Sequence, residues 1–420
     1  MAATQVSHVY PMGTRLDARG RLQVGGCDVI ELAREFGTPA YVVAEDDLRA
    51  RARAFRDAMA ARHDDFDVLF ASKAFPCTAA FRVMAEEDLG CDVASGGELH
   101  LALLGGMDPA RIHLHGNAKS DDELRLAREA GVGHVVIDAL DEIERVARVV
   151  ETGPPQRVLV RVTPGVKPST HDFISTGQLD SKFGLAVDDA RVAIERVRES
   201  DGLELVGLHV HLGSQIFELE PFHRAVEAIS HLGDFATYNL GGGLGVAYTE
   251  GDEPPSIESY VGAKVTAVQD VLGPGKRIVI EPGRALVANA GVTLYSVMSV
   301  KRGLSTYVAV DGGMSDNLRP MLYGSVYEAT IADRVGAGGE LCHVAGKHCE
   351  SGDVIVHDVH LHAPSPGDVV VTPVTGAYGH AMANNYNGVP RPPVIFCRDG
   401  DARVVVRRET FDDLARRERP

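Results

Sequence analysis

Between about residues 38 and 290 the chain alternates short β-branched apolar runs with longer stretches of helical spacing. The runs fall at 68–74, 91–95, 112–116, 134–138, 157–163, 206–213, 237–240 and 277–280. Between them lie amphipathic stretches. In 121–130, for example, Leu124, Leu126, Ala127 and Ala130 sit among Asp, Glu and Arg, and 141–150 is similarly mixed. Strands alternating with helices predict a parallel sheet. Eight such units match a closed (β/α)8 barrel better than an open doubly wound sheet. After about residue 290 the helical spacing fades. Runs at 292–300, 307–310, 354–359, 368–371, 394–397 and 402–406 are broken by Gly, Pro and Asp, which predicts an all-β domain. A short run at 21–24 is a strand candidate able to complete that domain, and 410–417 reads as a short charged helix. The expected fold is therefore α/β: a TIM-like barrel over 36–290, with 1–35 and 291–420 forming a β-rich domain.

Composition narrows the class. The 420 residues carry 42 Lys and Arg against 59 Asp and Glu, a formal charge of −17, which suits neither nucleic acid nor an anionic membrane. Six cysteines without a CxxC pair argue against a disulfide scaffold and a structural zinc site. No apolar stretch is long enough to span a bilayer, and residues 1–20 lack a signal-peptide core. A soluble, cytoplasmic enzyme is the expectation.

In a (β/α)8 barrel the chemistry gathers where the strands end. The chain places Lys73, Asp92, His113 and His115, Arg161, His209 and His211, Ser214, the glycines 241–243 and the turn Glu281-Pro282-Gly283-Arg284 just where the apolar runs stop. A lysine there can form a Schiff base with a carbonyl, or be a solvated loop residue. The glycine run can bring backbone N–H groups to an anion, or be a simple turn; it lacks the GxxxxGK[ST] pattern of a nucleotide loop. Glu281 needs a partner, either a protonated ring nitrogen or Arg284 three residues on. His209 and His211 share one side of a strand and suit a metal pair, aromatic packing on a cofactor ring, or a satisfied core; His113 and His115 repeat the spacing. In the β-rich half, 311–324, 348–353 and 375–379 hold Arg319, Tyr323, Cys349, Glu350 and Tyr378 in what could also be polar connections.

Together the segments FASKA (70–74), CDVASGGEL (91–99), TGQLDSKFGL (176–185), HVHLGSQ (209–215), LGGGLG (240–245), EPGR (281–284), SDNLRPMLYG (315–324), CESGD (349–353) and GAY (376–378) resemble the fold-type III, alanine-racemase-like pyridoxal-phosphate decarboxylases, over residues 35 to 400. Within that family the likeness is to the branch acting on meso-diaminopimelate, whose product is lysine. The resemblance implies pyridoxal 5'-phosphate as cofactor and no metal. It implies Lys73 as the residue that binds the cofactor, His211 against its ring and Glu281 at its ring nitrogen. Asp92, Ser214, Gly241, Gly242, Gly243, Gly283, Arg284 and Tyr378 complete the implied cofactor site. Arg284, Arg319, Tyr323, Glu350 and Tyr378 form the implied substrate set, with the guanidinium groups gripping a distal carboxylate. Cys349 is implied as proton donor, reaching with Glu350 into the partner's site of a homodimer. The competing functions are a sister decarboxylase with another substrate, a metal-dependent barrel hydrolase using the HxH pairs, and a non-catalytic cofactor carrier.

Overall fold

In the computed structural model, residues 6–150, 153–166, 181–336 and 338–419 are described. The chain divides into two compact units: Arg51–Gly245 with Glu253–Ala285, and Met1–Ala50 with Val246–Asp252 and Leu286–Pro420.

The first unit is a closed barrel of eight parallel strands. They run Phe66–Ala71, Gly90–Val93, Ile112–Leu114, His134–Ile137, Gln156–Val162, Leu203–Val210, Thr237–Asn239 and Arg277–Ile280. All eight expected strands are present. Their continuous apolar cores, such as Val158-Leu159-Val160, are fully buried, as strands covered on both faces require. Each such side chain contributes about 1.5–3 kcal/mol. The expected ends run too far. The first strand stops at Ala71, and Ser72–Ala74 is a 3-10 turn, so Lys73 lies just beyond the strand. The third stops at Leu114 and the sixth at Val210, which leaves His115 and His211 outside the ladder.

Register layers the barrel interior. Ala71 pairs with Asp92, Asp92 with His113 and His113 with His134. Arg161 pairs with His209, His209 with Asn239 and Asn239 with Val279. Polar residues from successive strands thus stand beside one another in the ladder. The helices between strands are locally determined. Asp121–Ala130 opens on a capping box in which Ser120 and Glu123 exchange bonds, and it ends on left-handed Gly131.

In the second unit one sheet runs Val354–Leu361, Glu340–Ala345, Thr306–Val310, Gly291–Arg302, Ala40–Ala44, Val394–Arg398 and Asp401–Val406. Val369–Pro373 also pairs with Gly291–Arg302. Ala40–Ala44 is buried along its whole length and lies between Gly291–Arg302 and Val394–Arg398 in this sheet. Its apolar run AYVVA carries no alternation to distinguish it from a barrel strand. The N-terminal segment adds a three-stranded sheet of Arg15–Leu16, Leu22–Val24 and Cys27–Asp28, tied to the unit by Leu22 N–H on the Ala332 carbonyl. Phe411–Ala415 is the short C-terminal helix.

Candidate active site

The site in the barrel unit is built on Glu281, one residue past the last strand and 5% exposed. Its Oε1 accepts from Asn239 Nδ2 at 2.6 Å and pairs with His115 Nε2 at 2.9 Å. Its Oε2 pairs with His209 Nε2 at 3.1 Å. Burial pushes this carboxyl up, but the two imidazoles and their hydrogen bonds outweigh that and hold it well below the usual range. A carboxylate offers about four lone-pair sites, and three donors use three of them. Among the described residues nothing takes the remaining site on Oε2, which a protonated ring nitrogen fits. Burial holds the His209 ring down at about 3, so it is a neutral N–H donor.

Lys73 projects from its turn with its side chain exposed, and its charge acts on both Asp92 and His211. Asp92 is buried, which pushes its carboxyl well above the usual range. Glu281 adds to that push, while Lys73 and the Ser72 N–H oppose it. His211 keeps some open surface, yet it is densely enclosed; burial and the Lys73 charge hold it well below its usual value. Gly242 N–H donates to its Nδ1 at 3.2 Å, which places the ring proton on Nε2.

The glycine run follows from crowding. Gly241 has φ +59°, and a Cβ there would stand 2.6 Å from the Val210 carbonyl and 2.7 Å from His211 Nδ1. A Cβ on Gly242 would collide with the Glu281 carbonyl oxygen. Only glycine lets the loop lie this close to its neighbours. Gly283 packs likewise on Ala71, where a Cβ would lie 2.8 Å from the alanine Cβ. Arg284 is buried and donates to Ser214 Oγ from Nε and Nη2 at 3.2 and 3.0 Å. Amine, ring-nitrogen acceptor and a close glycine loop flanked by a Ser–Arg pair are the donor set that pyridoxal phosphate requires. The residues present fit that group.

In the other unit, Arg319 is buried. Its Nη1 donates to Tyr327 OH at 2.7 Å, and its guanidinium lies 4.7 Å from the Tyr248 ring centroid. Tyr323, half-buried, ends the turn Arg319–Tyr323. Cys349 is exposed, while the other five cysteines are buried. The turn 349–353 hangs on Asp353, which binds His348 Nδ1 at 2.7 Å and accepts from Met314 N–H at 2.7 Å. Glu350, half-buried, accepts weakly from Gly352 N–H at 3.4 Å. Tyr378 sits in the left-handed region at φ +64°, a strained backbone for a bulky residue.

Three expectations change here. Glu281 is bonded to His115, His209 and Asn239, and Arg284 reaches Ser214. His209 and His211 do not act as a pair: one bonds Glu281 inside the barrel and the other meets the glycine loop. His113, His115 and Glu281 each bring one possible ligand atom within 4.8 Å of the others, but His115 and Glu281 bond to each other directly. Residues 176–180 of the TGQLDSKFGL segment lie outside the described residues. Asn239 and Lys264 were not singled out from the sequence. Asn239 is the polar break in the run TYNL. Lys264 falls on the apolar stripe of its helix with Tyr260, Val261, Val265 and Val268, the spacing of a buried face.

Comparison with known proteins gives three findings. Residues 45–288 match the family model described as the pyridoxal-dependent decarboxylase, pyridoxal binding domain. A diaminopimelate decarboxylase of Actinosynnema pretiosum is 48% identical, over 98% of this chain and 95% of the relative; one of Bacillus subtilis is 44% identical, over 97% of each. Among solved structures, the diaminopimelate decarboxylase of M. jannaschii in complex with L-lysine superposes with a TM-score of 0.91 at 32% identity, covering 97% of this chain and 98% of that one.

Proposed function

The chain belongs to the pyridoxal-dependent decarboxylases, and on that premise we propose how its own residues carry out the decarboxylation of diaminopimelate to lysine. The observation that carries the proposal is the joint placement, at the C-terminal ends of one barrel's strands, of the Lys73 amine, the Glu281 carboxylate with one open acceptor site, and the glycine run 241–243. When bound, pyridoxal phosphate supplies an aldehyde that takes up an amine and a conjugated ring that accepts the electron pair left by departing CO2.

Lys73 is the amine that would hold the cofactor through its aldehyde. Glu281 keeps a proton on the ring nitrogen; its three buried donors hold it as a carboxylate fit for that task. His211, a neutral imidazole that accepts the Gly242 N–H, would lie against the cofactor's ring. Asp92, buried and with its carboxyl pushed well above the usual range, belongs to the cofactor site and feels the Lys73 charge. The glycines 241–243, Gly283, Arg284, Ser214 and Tyr378 receive the phosphate. As the resemblance implies, Arg284, Arg319 and Tyr323 would bind the substrate carboxylates and Glu350 the distal ammonium, with Tyr378 in the same substrate set. Cys349 carries on Sγ the proton returned to the α-carbon. Its exposure supports an assembly in which two copies share their sites and each lends Cys349 and Glu350 to the other. Among the described residues no helix is long and apolar enough to cross a membrane, and we place the enzyme in the cytoplasm.

Borohydride reduction of the loaded protein, followed by digestion and mass spectrometry, tests the centre of this reading. The expected result is a pyridoxyl group on Lys73; an adduct on another peptide, or none, refutes it. Released CO2 measured over meso- and L,L-diaminopimelate, lysine, ornithine and arginine tests the substrate. Turnover confined to meso-diaminopimelate is expected, and faster turnover of another amino acid identifies a sister decarboxylase.

A further inference from the structure

Among the described residues, two lysines are buried inside the barrel unit, and they differ in one respect. Lys119 Nζ donates to the Gly116 and Val136 carbonyls and to Glu142 Oε1, each at 2.7 Å. Its charge has a carboxylate in contact. Lys264 comes from the middle of the helix Ile257–Leu272 and is 0% exposed. Its Nζ donates to the carbonyls of Leu240, Gly241 and Gly242 at 2.7, 2.6 and 3.1 Å. An ammonium has three N–H donors, so all three are engaged by neutral oxygens. The rings of Phe222 and Tyr260 close over it, with centroids 4.7 and 4.5 Å from Nζ.

A buried charge is tolerated when something of opposite sign compensates it. Carbonyl dipoles and ring faces do so in part. The one carboxylate that acts on it, Glu281, is not among its hydrogen-bond partners. In a trans peptide the N–H points opposite to the carbonyl of the same unit. Fixing the carbonyls of Leu240, Gly241 and Gly242 toward Lys264 therefore turns the N–H groups of Gly241, Gly242 and Gly243 away from it. The Gly241 N–H lands on Asn239 Oδ1 at 2.9 Å and the Gly242 N–H on His211 Nδ1 at 3.2 Å. The same lysine thus fixes the loop, two of whose three amides are bound within the protein, and places a positive charge behind it.

We propose that Lys264 is a positioning residue for the cofactor's phosphate: it orients the glycine run and supplies, through the loop, the cationic charge whose counter-ion is the bound phosphate. This rests on the reading of the barrel site as a pyridoxal-phosphate site. Burial pushes the Lys264 ammonium well below the usual lysine range, and Glu281 pulls it back up.

The test compares ligands with and without the phosphate. Affinities of the holoenzyme's cofactor-stripped form for pyridoxal phosphate and for pyridoxal are measured in the parent, Lys264→Met and Lys264→Gln. Both variants are expected to weaken pyridoxal phosphate by about tenfold or more, as for a lost charge-assisted contact, and pyridoxal by less than about twofold. Equal losses for both ligands, or no loss, overturn the proposal and leave the site reading intact. A parent that binds no pyridoxal phosphate overturns both. If both variants fail to fold, parent protein carrying 15N-labelled lysine decides. The slowly exchanging ammonium signal of Lys264 should shift on adding pyridoxal phosphate and not on adding pyridoxal, while that of Lys119 stays put. A Lys264 signal that ignores the phosphate overturns the proposal.

Discussion

Asn239 holds Glu281 to the glycine run: its Nδ2 donates to Glu281 Oε1 at 2.6 Å while its Oδ1 accepts the Gly241 N–H at 2.9 Å. The amide is wholly buried, and its orientation is dictated, because a backbone N–H demands an oxygen and a carboxylate demands a donor. One side chain therefore couples the proposed acceptor for the ring nitrogen to the proposed phosphate loop.

Replacing it by a carboxylate separates the two bonds. Asn239→Asp keeps an oxygen for Gly241 but sets a second acid against Glu281. Two carboxyls at that distance cannot both ionise, so one retains a proton. The acidic limb of the kcat–pH profile should move upward by about one unit or more. An unmoved limb would mean that the contact does not tune Glu281.

Glu281→Gln should fold. The glutamine oxygen can take the place of Oε1, and its NH2 then faces His209 Nε2. That ring can accept there by moving its proton to Nδ1, an atom without a hydrogen-bond partner among the described residues. The expected outcome is a melting midpoint within a few degrees of the parent, cofactor bound nearly as well, and kcat reduced by about a hundredfold, the order seen when one general acid–base group is lost. Full activity in the variant would remove Glu281 from its assigned role.

Arg319 has packing contacts and a proposed grip on substrate, which substitutions can separate. Its guanidinium satisfies Tyr327 OH and stacks on Tyr248, so Arg319→Ala should lower the melting point as well as kcat/KM for diaminopimelate. Arg319→Lys keeps a charge but loses the planar fork. It should recover much of the stability while kcat/KM stays about tenfold or more below the parent, the size of one charged contact. Recovery of both together would assign Arg319 to structure alone.

Asp316 predicts a pH dependence of stability. Burial raises its carboxyl from 3.8 to about 7, against the Gly313 N–H that donates to Oδ1. The folded chain therefore binds this proton more tightly than the unfolded one. Its contribution is present below pH 3.8 and is lost as pH rises through about 7. The loss amounts to roughly 4 kcal/mol, at 1.36 kcal/mol per pKa unit. Asp316→Asn removes the titration, so its melting midpoint should gain on the parent between pH 4.5 and 7.5. A constant difference across that range would contradict it.

Hydrophobic patterning by itself determined much of this protein: eight buried apolar runs, the helices between them, and the strand-end rim where Lys73, Glu281 and the glycines stand. Those features are local, since a period of two or 3.6 residues and a glycine in a crowded turn act over a few positions. Only the tertiary structure decided which polar groups meet. The bonds of His115, His209 and Asn239 to Glu281 join residues separated by 166, 72 and 42 positions, and barrel closure, not spacing, brings them together. The same holds for Ala40–Ala44, whose uniform apolar run suits a barrel strand equally well until its hydrogen-bond partners are known. Lys264 shows the division most clearly. Its helix spacing marks it as buried, but only the folded chain sets three carbonyls against its amine.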